Sequence, residues 1–134
     1  NHPNDHILID GAVRNIAQRK FFDVITTDYI VIHITLTEEE ALRRLQGRKM
    51  DPVTKEIFGS DFEGDTNPET GNKLVIRIDD QDVEKIHKRF AWYRTDIIPL
   101  LDSWKADGVE YYTINGEQPR EAVWSEIETI LKSN

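Results

Sequence analysis

The stretch His6-Ile-Leu-Ile-Asp10-Gly11-Ala-Val-Arg14 ends an apolar run on an aspartate, turns on a glycine and meets an arginine four residues after the aspartate. An aspartate at a strand end can hold Mg2+, directly or through water, beside a nucleotide phosphate. An arginine one turn further on asks for an anion. Downstream, Arg44 and Arg48 stand four apart and would share one face of a helix. Arg77 precedes the carboxylates Asp79 and Asp80, and Arg89 follows in the next helical stretch. Arginines gathered around a metal-bound phosphate supply the charge neutralisation and positioning that phosphoryl transfer needs, without a covalent protein nucleophile. Each signal also has an ordinary reading. Asp-Gly is a common turn, Arg44 can pair with Glu40 or complement the helix dipole, the two aspartates suit a helix start, and Arg89 can be a lone surface charge.

Composition narrows the choice. The 134 residues are enough for one domain with a core, and the net charge of −8 weakens any general nucleic-acid or anionic-membrane role. In so acidic a chain, arginines must be judged locally. The absence of cysteine excludes disulfides, a thiolate zinc site and a cysteine nucleophile, and fits a reducing cytoplasm. His2, His6, His33 and His87 show no metal-ligand spacing. No apolar run is long enough to cross a bilayer. The acidic stretch 61–72 fails as a calcium loop, because Thr66 and Asn72 occupy the positions where an EF-hand needs glycine and glutamate. The first residue is not methionine, which suggests a processed or truncated product.

The elements that must position these residues follow from periodicity. Residues 6–10 read as a short buried strand, 12–25 as a helix, and the β-branched run 29–36 as a strand. Thr37 and Glu40 form a capping box that starts a helix, with Gly47 as its stop. Residues 49–76 are dense in Pro, Gly, Asp, Asn and Thr and read as turns with two or three short strands. A long helical stretch from about Asp79 to Gly108 follows, kinked or divided by Pro99. Residues 109–114 form another strand, and a last helix begins near Pro119. Strands alternating with helices imply a mostly parallel sheet covered by helices, whose ligands sit beyond the C-terminal strand ends. The aromatic set Phe90, Trp92 and Tyr93 reads as core or interface.

The order of these features resembles the C-terminal three-fifths of an adenylate kinase, and the resemblance runs through almost the whole chain. The family's Asp-Gly-Phe-Pro-Arg-(Thr)-x-x-Gln is matched by Asp10, Gly11, Arg14 and Gln18, with Ala12 and Val13 in place of Phe-Pro. Its Arg-x-x-Gly-Arg before a mobile lid is matched by Arg44 to Arg48. The stretches Asp51-Pro-Val-Thr-Lys-Glu-Ile-Phe58 and Thr70-Gly-Asn-Lys-Leu-Val-Ile-Arg-Ile-Asp-Asp80 are similar to the cysteine-free, non-zinc lid. Lys88-Arg-Phe-Ala-Trp-Tyr93 is similar to Lys-Arg-Leu-x-x-Tyr, and Asn115-Gly-Glu-Gln-Pro119 to Asp-Gly-Thr-x-Pro.

The resemblance implies an α/β fold, part of a three-layer P-loop kinase sheet. Residues 1–48 would be core, 49–76 an irregular lid insertion, and 77–134 core again. It implies the reaction ATP + AMP = 2 ADP. Asp10 would orient Mg2+ through water, Arg14 would bind the monophosphate, and Gln18 would read its adenine edge. Arg44 would lie against the ATP base, Arg48 would meet the ATP phosphates, and the backbone near Gln118 would meet the ATP adenine. Arg77 and Arg89 would clamp the transferring phosphoryl group, with Lys88 the neighbouring alternative to Arg89. Asp79 and Asp80 would position those arginines.

The 134 residues contain no Gly-x-x-x-x-Gly-Lys-Ser/Thr, so the phosphate-cradling loop and its lysine must come from elsewhere. The chain alone is expected to be inactive. The strand that the resemblance places between 6–10 and 29–36 is missing, so the chain should either take a further N-terminal segment or self-associate by strand exchange. The alternative function is a degenerate, non-catalytic nucleotide-binding or interaction module.

Overall fold

The computed structural model describes residues 6–133; the first-residue reading and His2 lie outside the described residues. It is a mixed α/β chain. In chain order the elements are α1 (Ile16–Ile25), β1 (Val31–Thr35), α2 (Glu38–Gly47), β2 (Lys49–Met50), β3 (Ile57–Phe58), β4 (Val75–Ile76), α3 (Val83–Trp92), α4 (Ile98–Ala106), β5 (Tyr111–Asn115) and α5 (Arg120–Lys132). β1 and β5 pair in parallel, with Val31 N–H donating to Glu110 O and Gly116 N–H to Thr35 O. The three short strands form a separate antiparallel sheet in the order β3-β2-β4.

The chain divides into two units: residues up to Ile32 with Trp92–Tyr112, and His33–Ala91 with Thr113 onward. The first unit is built on a core of Val31, Leu100, Leu101 and Trp104, joined by Val13, Tyr29, Ile97, Val109 and Tyr111. Beside that core, a buried arginine ties α1 to α4. Arg19 donates to Ser103 Oγ at 2.8 Å and pairs with Asp23 at 3.2 Å and Asp107 at 2.7 Å. Tyr29 completes the network, donating to Asp23 at 2.6 Å and accepting from the Trp104 indole at 3.0 Å. A cation this deep is tolerable because its donors are matched by carboxylates and a hydroxyl.

Several sequence expectations shift by a turn, each for a visible reason. The first helix starts at Ile16, not Ala12, because Asn15 caps it: Asn15 Oδ1 accepts the Gln18 N–H at 2.8 Å. Residues 6–10 are not a strand. They have no strand partner among the described residues, and Ile7 and Leu8 stay 77% and 85% exposed. A strand without a neighbour has no ladder to satisfy its backbone, so apolar composition alone does not make one. The break expected at Pro99 is instead a π-helical turn, Tyr93–Ile97, lying directly before it. Proline lacks an N–H, and widening the preceding turn relieves the clash with the carbonyl four residues back.

The second unit holds the α2 cap and the small sheet. Thr37 Oγ1 accepts the Glu40 N–H at 3.3 Å, as the capping box requires. The reciprocal half is supplied differently: Glu117 accepts the Thr37 N–H at 3.2 Å, leaving Glu40 for Arg43 and Arg44. Those two guanidiniums, Arg43 first, hold the Glu40 carboxyl down at about 2. Gly116 is required at the turn after β5, since a Cβ there would sit 2.6 Å from the Thr35 carbonyl oxygen.

Within 49–76, Asp51 is the hub. Its fully buried carboxylate accepts from the Val53 and Thr54 N–H groups, from Asn67 at 2.8 Å, from Thr70 at 2.9 Å and from Asn72 at 3.2 Å. Burial alone would raise its pKa, but these donors outweigh it and hold the group below its ordinary 3.8. A depressed carboxylate contributes its stability in full above its ordinary value and loses it only as pH falls through the lower, folded-state value. The small sheet should therefore keep its amide protection from hydrogen exchange between pH 7 and pH 5. Asp51→Ala, which orphans these donors, should abolish protection across 49–76 at both values. Unchanged protection in that variant would contradict the hub.

Candidate functional site

The sequence-selected residues fall into two groups, one in each unit. In the first unit, Gly11 adopts φ +75°, a left-handed conformation that glycine enters without a Cβ penalty. The Arg14 side chain folds back over it, so that a Cβ on Gly11 would lie 2.7 Å from a terminal guanidinium nitrogen. The same guanidinium lies 6.0 Å from the Trp92 ring centre. Gln18, on the first turn of α1, accepts the Arg14 N–H at 2.7 Å and borders a shallow apolar groove with Ala12, Val13, Ala17 and Phe21. The motif residues Gly11, Arg14 and Gln18 are thus brought together by one turn and the helix start that follows. Asp10 is exposed and makes no hydrogen bond or ion pair among the described residues.

In the second unit, α2 carries Arg44 and ends at Gly47, so Arg48 follows as an extended C-cap and does not share a helix face with Arg44 as the spacing suggested. Arg44 bonds Glu40 at 2.8 Å and the Gly116 carbonyl at 2.9 Å, which places it against the 115–119 turn. Gln118 lies in that turn, and its side-chain Nε2 is buried without a hydrogen-bond partner. Such an atom is uncommon in a folded protein and asks for an acceptor. Arg48 meets Asp80 in a two-pronged pair, at 2.9 and 2.7 Å, with Asp80 1% exposed. Asp80 ends the short 3-10 turn Ile78–Asp80 that follows β4, so this pair closes 49–76 at its base.

Asp79 turns the other way and pairs with Lys85 at 2.6 Å. Its pKa is lowered, first by that hydrogen bond and then by the fields of Lys85, Arg77 and Arg89. Neither aspartate hydrogen-bonds Arg77 or Arg89. Arg77 is half-buried and Arg89 exposed, and neither makes a hydrogen bond or ion pair among the described residues. Two arginines therefore share one carboxylate's field with their own donors unmatched. An anion with several oxygens is the natural complement of such a pair.

Three contributions were not read from sequence. Glu117 takes over half of the α2 cap, Asp51 organises the small sheet, and Trp92 underlies Arg14. The i,i+4 spacing of Trp92 and Asp96 was the available signal for the last of these. Among the described residues no cluster of three or more histidine, cysteine, aspartate or glutamate side chains could hold a metal by itself. No helix among them is long and apolar enough to cross a membrane.

No family model matches the chain. Curated relatives do. It is 29% identical to an adenylate kinase of Natronomonas pharaonis over 95% of its own length, covering 61% of that protein. It is 31% identical to an adenylate kinase of Rickettsia akari over 99% of its length, covering 64% of it, and 33% identical to one of Chloroherpeton thalassium over 94%, covering 61%. The chain is therefore similar in sequence to proteins named as kinases. More particularly, it is similar to adenylate kinases through nearly all of its length, and it spans about three-fifths of theirs, a coverage consistent with a C-terminal portion.

Proposed function

We propose that this chain is the C-terminal part of a cytoplasmic adenylate kinase-like enzyme that carries out ATP + AMP = 2 ADP. The observation that carries the reading is the division of charges around 77–89. Asp80 is consumed by Arg48 and Asp79 by Lys85, so Arg77 and Arg89 remain available to an anion. In this reading those two arginines take the transferring phosphoryl group, Arg48 reaches the ATP phosphates, and Arg44 with the turn at Gln118 receives the ATP base. Arg14 takes the phosphate of AMP and Gln18 its adenine, with the groove along α1 as the apolar wall of that base site. Residues 49–76 act as a lid that excludes water, which would otherwise accept the phosphoryl group.

Mg2+ fits this donor set in a limited way. The described residues offer no protein cage, but Asp10 is an unpaired carboxylate at a turn beside Arg14. Asp10 would hold the ion through water while ATP supplies most of its ligands, and the ion would neutralise phosphate charge. The missing phosphate-cradling loop comes from a further N-terminal segment of the enzyme, so the 134 residues alone are inactive. That segment would also supply a strand to the side of β1 that β5 does not pair, and could cover the exposed Ile7, Leu8 and Ile9. Without it, strand exchange between copies serves the same need, and sedimentation of these 134 residues at micromolar concentration should show self-association; a monodisperse, cooperatively melting monomer would contradict this.

The deciding experiment supplies the full-length protein with ATP, Mg2+ and AMP and follows ADP. Formation of two ADP for each AMP consumed, abolished by omitting AMP, is expected. Nucleotide binding with no turnover would sink the enzyme reading and favour a degenerate binding module.

A further inference from the structure

The residue that carries this inference is Trp92, which the proposed reaction does not use. It ends α3, at the entrance to the π-helical turn Tyr93–Ile97. Within that turn, Asp96 accepts the Trp92 indole N–H at 3.1 Å, and Thr95 donates to the other oxygen of Asp96 at 3.1 Å. The indole is therefore held in place by a short chain of hydrogen bonds, on a turn whose width Pro99 dictates. Its ring face receives the Arg14 guanidinium at 6.0 Å, within the range of a cation–π contact. On its near side the Arg14 guanidinium lies against Gly11, where a Cβ would meet its terminal nitrogen at 2.7 Å. Arg14 also makes no salt bridge among the described residues, so its charge is oriented without being neutralised.

We propose that Trp92 is a positioning residue for Arg14: it holds the guanidinium ready for a phosphate monoester and so sets affinity for the nucleoside monophosphate. This rests on the reading of Arg14 as the monophosphate ligand. An aromatic ring suits the task better than a carboxylate, since it fixes a guanidinium without competing for its hydrogen-bond donors. Because Trp92 touches neither reacting group, its loss should act on binding of the monophosphate alone.

The test uses the full-length protein with AMP as the probe. Trp92→Leu should raise the KM for AMP about three- to tenfold, the range of an exposed to partly desolvated cation–π contact. The KM for ATP and kcat should stay within about twofold. Trp92→Phe keeps a π face and should restore most of the affinity, and neither substitution should add to the loss in an Arg14→Ala background. AMP binding should also change the intrinsic tryptophan fluorescence in the unaltered protein and not in Trp92→Phe. Three outcomes overturn the proposal: an unchanged KM for AMP in Trp92→Leu, equal losses for AMP and ATP, or additivity with Arg14→Ala. If the unaltered protein binds no AMP, the reading of function falls first and this one with it. If AMP binds and depends on Arg14 but not on Trp92, only the present inference fails.

Discussion

Arg77→Ala is expected to lower kcat of the full-length enzyme about 10³-fold or more, with a much smaller change in the KM for AMP. The reason lies in where charge appears. In phosphoryl transfer negative charge spreads over the equatorial oxygens of the migrating group, and a fixed cation at that point stabilises the transition state more than either ground state. Arg77 is suited to this because it is held yet not neutralised. It is half-buried at the end of β4, where the backbone fixes it, and its nearest acidic neighbours are engaged by Lys85 and Arg48. Lysine at position 77 should recover only part of the rate, since an ammonium keeps the charge but loses the two-pronged geometry. Steady-state kinetics with each substrate varied in turn decides the matter. A defect confined to the KM for AMP would move Arg77 out of the reacting centre and into the monophosphate site.

How far this was legible in the sequence depended on range. Asp10-Gly11-x-x-Arg14 is a local pattern, and the positive φ at Gly11 could be anticipated from it; the shared helix face expected of Arg44 and Arg48 does not form, because α2 ends at Gly47 and Arg48 follows it in extended conformation. The α2 cap was half legible. Thr37 caps as expected, but the second half comes from Glu117, eighty residues away, and no local pattern reports a partner so distant. The buried Arg19 network is invisible for the same reason, since its hydroxyl Ser103 comes from α4 and its carboxylate Asp107 from the cap that follows α4. Residues 6–10 illustrate the opposite error. Their composition suits a strand, yet pairing depends on a neighbour that the described residues do not contain. Trp92 read as core or interface; its 39% exposure beneath a cation became meaningful only with Arg14 beside it.

The second large effect concerns the pair that closes the small sheet at its base. Asp80→Ala should destabilise the protein by about 2–4 kcal/mol, somewhat below the usual cost of breaking a fully buried ion pair. The discount follows from Arg48, whose side chain is 25% exposed and can recover some hydration once abandoned, whereas the carboxylate it loses is 1% exposed. For a chain of this size such a loss lowers the melting temperature by about 10 °C. Replacing both partners with apolar residues of similar shape, as in Arg48→Met with Asp80→Leu, should restore much of the stability, because the penalty comes from stranding a charge and not from forgoing the pair. Function should not follow stability back. Asp80 holds Arg48 by two parallel bonds at the exit of α2, and the double variant has no guanidinium to offer the ATP phosphates. A raised KM for ATP is therefore expected in Asp80→Ala, and a larger one in the double variant, with the KM for AMP little changed. Thermal melts of the three proteins beside their ATP kinetics separate the two roles. If Asp80→Ala melts within about 2 °C of the unaltered protein, the pair does not hold the fold together. If the double variant regains ATP affinity along with stability, Arg48 serves the fold and not the nucleotide.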